Sequence, residues 1–315
     1  MKRFALAALA AAMVTVTAPA LAAAPMVKTS APAFYRMMLG EFEVTVINDG
    51  TTALPVDTLL QGMSKAELTA ALKKNFAASP LETSFNAFLI NTGSKLVLVD
   101  TGAGSLFGPN LGKFAANLKA AGYAPEQIDE IYITHMHPDH VGGLVANGAL
   151  TFPNATVRAQ KHEADYWLSA EQLAKNPAKG DFFKGAMAML NPYVTAGKFK
   201  PFEGDVELVP GISSHSGKGH TPGHATYVVQ SAGQKLVLVG DLIHVAPVQM
   251  AHPEVTIGFD SEPKDALAER RQTFDAAARG GYLIGGAHLA FPGVGHLRKD
   301  GKGFDFVPVN FTQMH

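Results

Sequence analysis

A six-residue segment, His135 to His140, constrains the fold of this chain more than any other part of its sequence. It reads His-Met-His-Pro-Asp-His and comes just after the apolar stretch Ile128–Ile133, which predicts a short buried strand. Alternate residues of an extended chain point the same way, so the first two histidines can approach one metal ion together. The proline then turns the chain, so that the last two residues can face a neighbouring site. Solvated surface histidines are the alternative, but this density after a buried strand favours imidazole and carboxylate metal ligands, which suit zinc.

Three more candidate ligands stand far from this segment in the chain. His220 lies between glycines and a proline, where the backbone can turn sharply to present it. Asp241 ends an apolar strand, where a carboxylate is favourable only if a positive charge meets it. His288 follows another predicted strand and two glycines. Each residue alone would more often be a cap or a satisfied core group, but the set at matching strand ends predicts metal ligands.

The order of predicted elements repeats in the two halves of the chain. Each half has a strand, a turn and a strand ending in Val-Asp or Gly-Asp, then a helix, then a strand that leads to histidine. These elements are Ala87–Ile90, Leu96–Val99, Leu111–Ala121 and Ile128–Ile133 in the first half, and Thr226–Gln230, Lys235–Val239, Pro263–Arg279 and Tyr282–Ile284 in the second. We therefore expect an α/β fold with αββα layering, in which two mixed β-sheets pack together between helices and their strand ends meet at one edge.

The remaining segments carry weaker patterns. We expect strands at Phe42–Ile47, Val157–Ala159 and Phe306–Val309, and helices at Ser64–Ala77, with Ser64 as N-cap, and at His162–Leu168. Asn48-Asp49-Gly50 predicts a turn after the first of these strands. The stretch from Lys175 to Lys200 mixes glycine, proline and phenylalanine, and we expect an insertion near the site.

The first 23 residues have the pattern of a secretory signal peptide. Lys2 and Arg3 precede the apolar run Phe4–Thr17, and small residues follow where a signal peptidase would cleave. A membrane anchor is the alternative, but the run is short and prolines close it. We expect residues 1–23 to be the signal, residues 24–33 an N-terminal lead and residues 34–315 one hydrolase domain, exported across the inner membrane to the periplasm, with full secretion left open.

Composition narrows the chemistry. The formal net charge is -1, so the chain has no basic field to hold nucleic acid or an anionic membrane, and we expect neither as a partner. The sequence contains no cysteine, which excludes thiolate ligands, thiol nucleophiles and disulfides. Stability must therefore come from the core and, in part, from bound metal.

The ligand pattern resembles the metallo-β-lactamase superfamily, whose HxHxDH motif matches His135 to His140. The resemblance implies the αββα sandwich of that superfamily and two divalent metal ions, with zinc favoured. It assigns His135, His137 and His220 to one metal, Asp139, His140 and His288 to the other, and Asp241 as a bridge between them. Asp100 resembles the aspartate that orients a ligand imidazole, with a strand-end cap as the alternative. His224 is expected to brace the His220 loop without being a ligand.

The five remaining histidines lack such a pattern. No motif surrounds His162, His215, His252, His296 or His315. We expect them to be surface or structural residues.

From about Pro32 to Phe311 the chain resembles the methyl parathion hydrolase group and its lactonase relatives. The matching stretches are Phe34–Met37, Leu54–Asp57, Pro80–Ser84, Asn91–Lys95, Asn191–Val194 and Gly281–Ile284. The resemblance implies a homodimer that acts on small molecules: organophosphate triesters, aryl esters and aromatic lactones such as dihydrocoumarin. It also implies a substrate pocket formed by Leu59, Phe107, Trp167, Phe182, His244, Ile257 and Phe259. Ordinary core packing is the alternative for each aromatic residue.

The sequence departs from the dedicated phosphotriesterases of this group at four pocket positions. Those enzymes carry Arg, Leu, Thr and Leu where this chain has Leu59, His244, Ile257 and Phe259. The chain instead has the set found in the lactonase-like relatives. We therefore predict lactone and aryl ester hydrolysis as the main activity and phosphotriester cleavage as a secondary one.

The predicted ligands also indicate a mechanism. Two metal ions can share a water molecule and lower its pKa toward neutrality, and the hydroxide would attack a carbonyl carbon or a phosphorus. Asp241, Asp139 and His244 are the expected catalytic residues, with His244 able to contact the substrate or leaving group. A dedicated phosphotriesterase, a β-lactamase, a diiron redox protein and an inactive binding module are the alternatives. The His-rich set disfavours the redox protein, and the complete set of seven ligands disfavours the inactive module.

Overall fold

The computed structural model describes residues 24–313. The expected signal peptide and His315 lie outside these residues. Residues 24–31 contain no helix or strand, and the chain from Pro32 onward forms one compact unit. No helix in the described part of the chain is both long enough and apolar enough to cross a membrane.

The described residues form helices and strands that alternate along the chain. The strands are β1 (Phe34–Leu39), β2 (Phe42–Leu54), β3 (Leu60–Gln61), β4 (Leu81–Asn91), β5 (Leu96–Val99), β6 (Glu130–Tyr132), β7 (Val145–Ala146), β8 (Ala149–Leu150), β9 (Thr156–Arg158), β10 (Val206–Val209), β11 (Ile212–Ser216), β12 (Ala225–Ser231), β13 (Gln234–Leu238), β14 (Thr256–Ile257), β15 (Leu283–Gly285), β16 (Val294–Asp300) and β17 (Gly303–Pro308). The helices are α1 (Val56–Leu59), α2 (Lys65–Lys74), α3 (Phe114–Ala120), α4 (Pro138–Val141), α5 (Lys161–Trp167), α6 (Ala170–Lys175), α7 (Gly180–Thr195), α8 (Ala246–Gln249) and α9 (Pro263–Gly280).

Two large mixed sheets organise these elements. The first has the strand order β1-β2-β4-β5-β6-β9 and the second β10-β11-β12-β13-β15-β16-β17. In the first sheet β5, β6 and β9 run parallel, and in the second β13 and β15 run parallel. The other neighbours in both sheets are antiparallel. The predicted mixed sheets are therefore confirmed.

Alternating side chains of β4 show how the layers pack. Phe88 and Ile90 face a cluster shared by the two sheets, in which Tyr132 of the first sheet stacks on Tyr227 of the second with ring centroids 5.5 Å apart. Leu89 instead faces a cluster built with α3, α5 and α7 on the outer face of the first sheet. A third cluster packs α9 on the outer face of the second sheet. The layers are thus helix, sheet, sheet, helix, as predicted.

The predicted turn at Asn48-Asp49-Gly50 is wrong, because β2 continues through it to Leu54. The register shifts between Asn48 and Gly50, and Gly50 has a φ of +130°, so the segment is a β-bulge. The Asp49 carboxylate is buried and accepts three backbone N–H groups from the loop after β5, those of Ala103, Gly112 and Phe114, at 2.9, 3.0 and 2.8 Å. Asp49 therefore anchors a distant loop instead of making a local turn.

The 16-residue helix α7, which the sequence pattern did not predict, occupies most of the expected insertion at Lys175–Lys200. Its buried face includes Phe183, Ala186, Leu190 and Tyr193, which are spaced by three or four residues. Pro192 lies in the last turn and masked this period in the sequence.

Two predicted helices have shifted ends for local reasons. Ser64 caps α2 with Glu67 in a capping box, as predicted, but the helix ends at Lys74 because Phe76 has a φ of +55°. Helix α3 begins at Phe114 instead of Leu111 because Gly112 has a φ of +82°.

Candidate metal centre

The structure brings all seven predicted ligand side chains together at one edge of the sandwich. They form two groups, which we name the first ligand group (His135, His137, His220 and Asp241) and the second ligand group (Asp139, His140, His288 and Asp241). Within each group the candidate ligand atoms all lie within 4.8 Å of one another. Asp241 belongs to both groups, which is the bridging position expected from the sequence.

The segment after β6 divides its ligands between the groups. Thr134, His135 and Met136 continue from the strand, and α4 then begins at Pro138, with its fixed φ at the first helical position. The short helix carries Asp139 and His140 to the second group, whereas His137, at its N-cap, stays with the first. Pro138 therefore separates the two sets as the sequence predicted.

Glycines let the His220 loop approach its neighbours closely. Gly219 has a φ of +127°, and a Cβ there would lie 2.2 Å from the backbone nitrogen of Ala266. A Cβ at Gly223 would lie 2.2 Å from the backbone nitrogen of Glu163. Since neither distance is physically possible, the loop that presents His220 needs glycine at both positions.

His224 braces the turn that carries Asp241. The backbone N–H of Asp241 donates to His224 Nε2 at 3.1 Å, and His224 Nδ1–H donates to the carbonyl of Gly217 at 2.9 Å. Gly240 has a φ of +51°, and a Cβ there would lie 2.5 Å from His224 Nε2. Both ring nitrogens of His224 are thus engaged by backbone groups, which leaves neither for a metal.

The spacing of ligand atoms in the first group tests its fit to a metal ion. Four ligand atoms held tetrahedrally about 2.0–2.1 Å from one zinc ion are about 3.3–3.4 Å apart. His220 Nε2 lies 3.1 Å from His137 Nδ1 and 3.3 Å from Asp241 Oδ2. His135 Nε2 lies 3.5 Å from Asp241 Oδ2. These separations match one tetrahedral centre.

The second group has similar separations between its ligand atoms, with both oxygens of Asp241 taking part. His140 Nε2 lies 3.4 Å from Asp139 Oδ2 and 3.3 Å from Asp241 Oδ1. His288 Nε2 lies 3.4 Å from Asp139 Oδ2 and 3.3 Å from Asp241 Oδ2. The ring of His288 is fixed by its other nitrogen, whose Nδ1–H donates to the carbonyl of Ser84 at 3.2 Å. Its Nε2 therefore faces Asp139 and Asp241, where a cation would be held.

Unsatisfied buried atoms point to the same conclusion. His135 Nε2, His140 Nε2 and Asp241 Oδ1 are buried and have no hydrogen-bond partner among the described residues. No Lys or Arg in that part of the chain pairs with Asp139 or Asp241. Buried carboxylates without a cation are unfavourable, so the groups require positive charge from outside the chain. The residues fit two divalent metal ions, and their N/O donor set suits zinc without fixing the metal.

The protonation states of the ligands follow the carboxylates at their centre. Against the effect of burial, Asp241 and the neighbouring carboxylates raise the pKa of His140, that of His220 to about 9 and that of His288 to about 10, so without metal ions these imidazoles take up protons where cations would bind. Burial lowers the pKa of His135 and of His137 well below the ordinary value, so both imidazoles are neutral at neutral pH and offer lone pairs. Burial would raise the pKa of Asp241, but the surrounding imidazoles, His140 first among them, hold it well below its ordinary value. The bridging carboxylate is therefore ionised.

Asp100 lies against a ligand imidazole and also caps its strand end. Its Oδ2 accepts from His140 Nδ1–H at 2.8 Å, and its two oxygens accept from the hydroxyl and backbone N–H of Thr134, each at 2.8 Å. Asp100 has a φ of +60°, an uncommon conformation for a residue other than glycine. Asp100 therefore makes the contacts expected of an aspartate that orients a ligand imidazole and also those of a strand-end cap.

Sequence reasoning missed a second aspartate of this kind. Asp260 Oδ1 accepts from His220 Nδ1–H at 2.9 Å, and its Oδ2 accepts the backbone N–H of Ile257 at 3.2 Å. It lies in an irregular loop between β14 and α9, without a periodic pattern to single it out. The sequence therefore carried no signal for it.

Glu163 was missed as well, although a signal existed. Its carboxylate is buried and accepts from the Met136 backbone N–H at 2.8 Å, the Thr221 hydroxyl at 2.8 Å and the Gly223 backbone N–H at 2.9 Å. It thereby ties the His135 segment to the His220 loop. Glu163 lies one helical turn before buried Trp167 in α5, and a charge on the apolar face of a helix could have indicated this role.

A cavity of about 70 Å³ opens onto the ligand groups, and we name it the central cavity. It is lined by Leu54, Phe85, Phe107, His137, Asp139, Phe182, Asp241, His244, Phe259 and His288. Of the seven predicted pocket residues, Phe107, Phe182, His244 and Phe259 line it. Phe85 and Leu54 were not predicted.

The other three predicted pocket residues do not line the central cavity. Trp167 is fully buried and packs behind His137, with ring centroids 5.3 Å apart. Ile257 is also fully buried, and it packs with Leu59 and the inner side of Phe259 in one apolar cluster. These residues support the wall from behind because their side chains point into the core.

His244 stands between the ligand groups and the cavity wall. Its backbone N–H donates to Gln249 Oε1 at 2.9 Å, and its ring stacks on His288 with centroids 5.1 Å apart. Its Nε2 lies 3.0 Å from Asp241 Oδ2, but neither ring nitrogen makes an aligned hydrogen bond within the described residues. Burial lowers the pKa of His244 to about 4, so the ring is neutral at neutral pH. A neutral imidazole with uncommitted nitrogens can donate to or accept from a bound molecule.

Comparison with known proteins places these features in context. The family model described as "Metallo-beta-lactamase superfamily" matches residues 83–305, more than half of the chain. An N-acyl homoserine lactonase of Bacillus cereus is 29% identical over 194 residues, which cover 56% of this chain and 70% of that protein. Two further N-acyl homoserine lactonases, from Bacillus sp and Bacillus thuringiensis, are matched over 50% and 41% of their own length.

Two solved structures are similar over most of the chain. The hydrolase AbOPH of the beta lactamase superfamily is 35% identical with a TM-score of 0.86, and the match covers 90% of this chain and 100% of that one. AidC, a dizinc quorum-quenching lactonase solved in complex with a product, is 28% identical with a TM-score of 0.79, and the match covers 89% of this chain and 99% of that one.

Proposed function

The chain belongs to the metallo-beta-lactamase superfamily and is a metallo-hydrolase homologous to N-acyl homoserine lactonases; on that premise, we propose that it hydrolyses aromatic lactones and aryl esters. We include organophosphate triesters as a secondary substrate class. A dedicated phosphotriesterase is the alternative. The names of the relatives support the lactone part of this proposal, and the aromatic preference comes from the cavity itself.

The observation that carries the proposal is the aromatic wall of the central cavity beside both ligand groups. Phe85, Phe107, Phe182 and Phe259 line a cavity whose floor consists of ligand side chains. Each favourable contact between aromatic rings contributes about 0.5–1.5 kcal/mol beyond burial of area. A flat aromatic substrate can therefore be held with its reactive carbonyl at the ligand side chains.

The ligand groups set the reaction class. When bound there, two divalent ions supply Lewis acidity and lower the pKa of water, the two requirements of hydrolysis at neutral pH. Asp139 and Asp241 line the cavity as ionised carboxylates, which orient water and disfavour any competing anion at that point. The apolar walls exclude bulk water and so strengthen each polar contact inside the cavity.

His244 is the residue of this chain best positioned to contact the leaving group. It lines the cavity beside Asp241, and its ring nitrogens are uncommitted. A hydrogen bond from its N–H would stabilise the oxygen that leaves as the ester bond breaks. A phenolate resembles the tyrosine side chain in having a pKa of about 10, so it leaves without a strong acid beside it. A hydrogen-bond donor is then sufficient.

The shape of the cavity supports lactones over phosphotriesters. A planar ester presents two substituents at the reacting carbon, whereas a phosphotriester presents three alkoxy or aryloxy groups around phosphorus. The central cavity of about 70 Å³ is narrow, with Phe259 and His244 on its wall. The resembling phosphotriesterases carry leucine at both of those positions. We therefore expect phosphotriesters to fit less well.

The proposal is tested by parallel kcat/KM measurements of the zinc-loaded mature protein on dihydrocoumarin, N-hexanoyl-homoserine lactone and methyl parathion. We expect dihydrocoumarin to exceed methyl parathion by about a hundredfold, or about 2.7 kcal/mol in transition-state binding. His220→Ala serves as the control for hydrolysis by free metal. A preference for methyl parathion would favour the phosphotriesterase alternative, and a preference for the homoserine lactone would leave the lactonase assignment while removing the aromatic one.

A further inference from the structure

A second cavity adjoins the central one and has a different character. It has a volume of about 130 Å³ and is lined by His137, Lys179, Phe182, Gly258 and Phe259. Three of these residues, His137, Phe182 and Phe259, also line the central cavity. We name this space the side cavity. An ester or lactone extends on both sides of its reacting carbonyl, so two adjoining cavities that share His137 can take its two parts.

Lys179 is the only cationic side chain lining the side cavity among the described residues. It is half-buried, and its Nζ donates to the Ser261 hydroxyl at 3.1 Å. Glu262 attracts the ammonium only at longer range, and Lys179 forms no ion pair in the described part of the chain. An ammonium group has three N–H donors, and Ser261 accepts one of them.

The position of Lys179 relative to the ligand groups is fixed by the chain. Ser261 directly follows Asp260, which binds His220, and the Ser261 backbone N–H donates to the His220 carbonyl at 2.9 Å. Phe182 and Phe259 line the side cavity together with Lys179 and the ligand His137. A cation is thus held in an aromatic cavity that borders the first ligand group.

We propose that Lys179 determines specificity by selecting substrates with a carboxylate, or another anionic group, on the part of the molecule seated in the side cavity. The inference rests on the proposed ester and lactone hydrolysis and names the substrate class more closely. A charge-assisted hydrogen bond to a partly desolvated ammonium is stronger than one between neutral groups. The same cation would give a neutral alkyl chain no such advantage.

Within residues 24–313, the ammonium group of Lys179 has no carboxylate close enough to compensate its burial. Burial lowers the pKa of its ammonium group, as expected for a cation that is desolvated without full compensation. A bound anion would remove that deficit. The charge in the side cavity is therefore more favourable with an anionic substrate than without one.

The test compares two 4-nitrophenyl esters with acyl chains of equal length, the neutral pentanoate and the monoester of glutarate. We expect the wild-type protein to favour the glutarate ester in kcat/KM by about tenfold after correction for spontaneous hydrolysis. Lys179→Met should bring this ratio close to one, whereas Lys179→Arg should retain part of it. Raising the salt concentration should lower the wild-type ratio because the ammonium is only half-buried. A general loss of folding would lower both rates and leave the ratio unchanged.

Lys184→Met is the matched control. Lys184 lies on α7, is exposed and pairs loosely with Asp181 at 3.9 Å, so its loss should leave the ratio at the wild-type value. An absent preference in the wild-type protein, or an equal change in both variants, would overturn the proposal.

A second arm needs no turnover and separates this inference from the proposed function. Binding of glutarate and of pentanoate to the zinc-loaded protein is measured by isothermal titration calorimetry. We expect glutarate to bind about tenfold more tightly, and the difference to disappear in Lys179→Met. If glutarate is favoured but neither ester is hydrolysed, Lys179 has the proposed role and the esterase proposal fails. If both esters are hydrolysed without any glutarate preference in either arm, the role of Lys179 is wrong and the hydrolase proposal stands.

Discussion

The first and second ligand groups use the same device to fix one imidazole each. In the second group His140 donates its Nδ1–H to Asp100 at 2.8 Å, and in the first group His220 donates its Nδ1–H to Asp260 at 2.9 Å. A carboxylate in this position orients the ring and makes the opposite nitrogen a better ligand. The two halves of the chain thus reach one geometry from unrelated surroundings, a strand end for Asp100 and an irregular loop for Asp260.

The groups differ in how they meet the cavity. All four members of the first group are buried, whereas Asp139 of the second group keeps 11% of its side chain exposed. Asp139 and His288 line the central cavity, but His135, His140 and His220 do not. Asp139, His288 and Asp241, together with His137, therefore form the face that a substrate meets. His135, His140 and His220 lie behind it. Asp241 belongs to both groups, so it lies in this face and also close to the ligands behind it.

Asp241→Asn should have the largest effect because it removes the charge shared by both groups. We expect a loss of about a thousandfold or more in kcat/KM on dihydrocoumarin, equivalent to about 4 kcal/mol, and zinc content well below two ions per chain. Metal content is measured by mass spectrometry beside the kinetics. Asp205→Asn, at an exposed aspartate paired with His215, is the control. Retention of two zinc ions by Asp241→Asn would show that the groups hold metal independently of their shared residue.

Asp100→Asn and Asp260→Asn test whether the two orienting carboxylates are equivalent. Each should weaken zinc binding or activity by about 10- to 100-fold, and each should affect one zinc-binding step in a titration against a chelator. Asp100→Asn should also lower stability more, because Asp100 accepts two further hydrogen bonds from Thr134. Asp275→Asn, at a surface ion pair with Lys299, is the reference.

The double variant sharpens the comparison between the groups. If the groups are independent, the changes in zinc-binding free energy caused by Asp100→Asn and Asp260→Asn add in the double variant. If Asp241 couples the groups, the change in the double variant differs from that sum. If the two single variants weaken the same zinc-binding step, the assignment of one aspartate to each group is wrong.

The layered fold and all seven ligands could be predicted from the sequence because each is indicated by a local pattern. A ligand such as His135 follows a buried strand, and its type and spacing are visible without the fold. Asp260 could not be recognised in the same way, since its partner His220 lies 40 residues away along the chain. Glu163 carried a local signal, but its partners Met136 and Gly223, 27 and 60 residues away, were not visible in the sequence. The pocket was only half predicted for a related reason. Trp167 and Phe182 are both aromatic and near the site, and only packing decides which one faces the cavity.

Glu163→Gln should have the smallest effect because it loosens the tie between the two ligand segments without touching a ligand. Glu163 now accepts hydrogen bonds from Met136 through one carboxylate oxygen and from Thr221 and Gly223 through the other. In the glutamine variant an NH2 group would replace one of these oxygens and face N–H or O–H donors. An unsatisfied buried donor costs about 1–3 kcal/mol, and relief of the buried charge offsets part of that. We expect Tm to fall by about 2–4 °C and kcat/KM by less than about tenfold, because Asp100 and Asp260 still orient their imidazoles. Glu171→Gln, at an exposed ion pair with Lys175, should change stability by less than about 0.5 kcal/mol. Suppose instead that Glu163→Gln lost as much zinc as Asp260→Asn. The hydrogen bonds of Glu163 would then be what aligns the His135 segment with the His220 loop, and metal binding by the two ligand groups would depend on them.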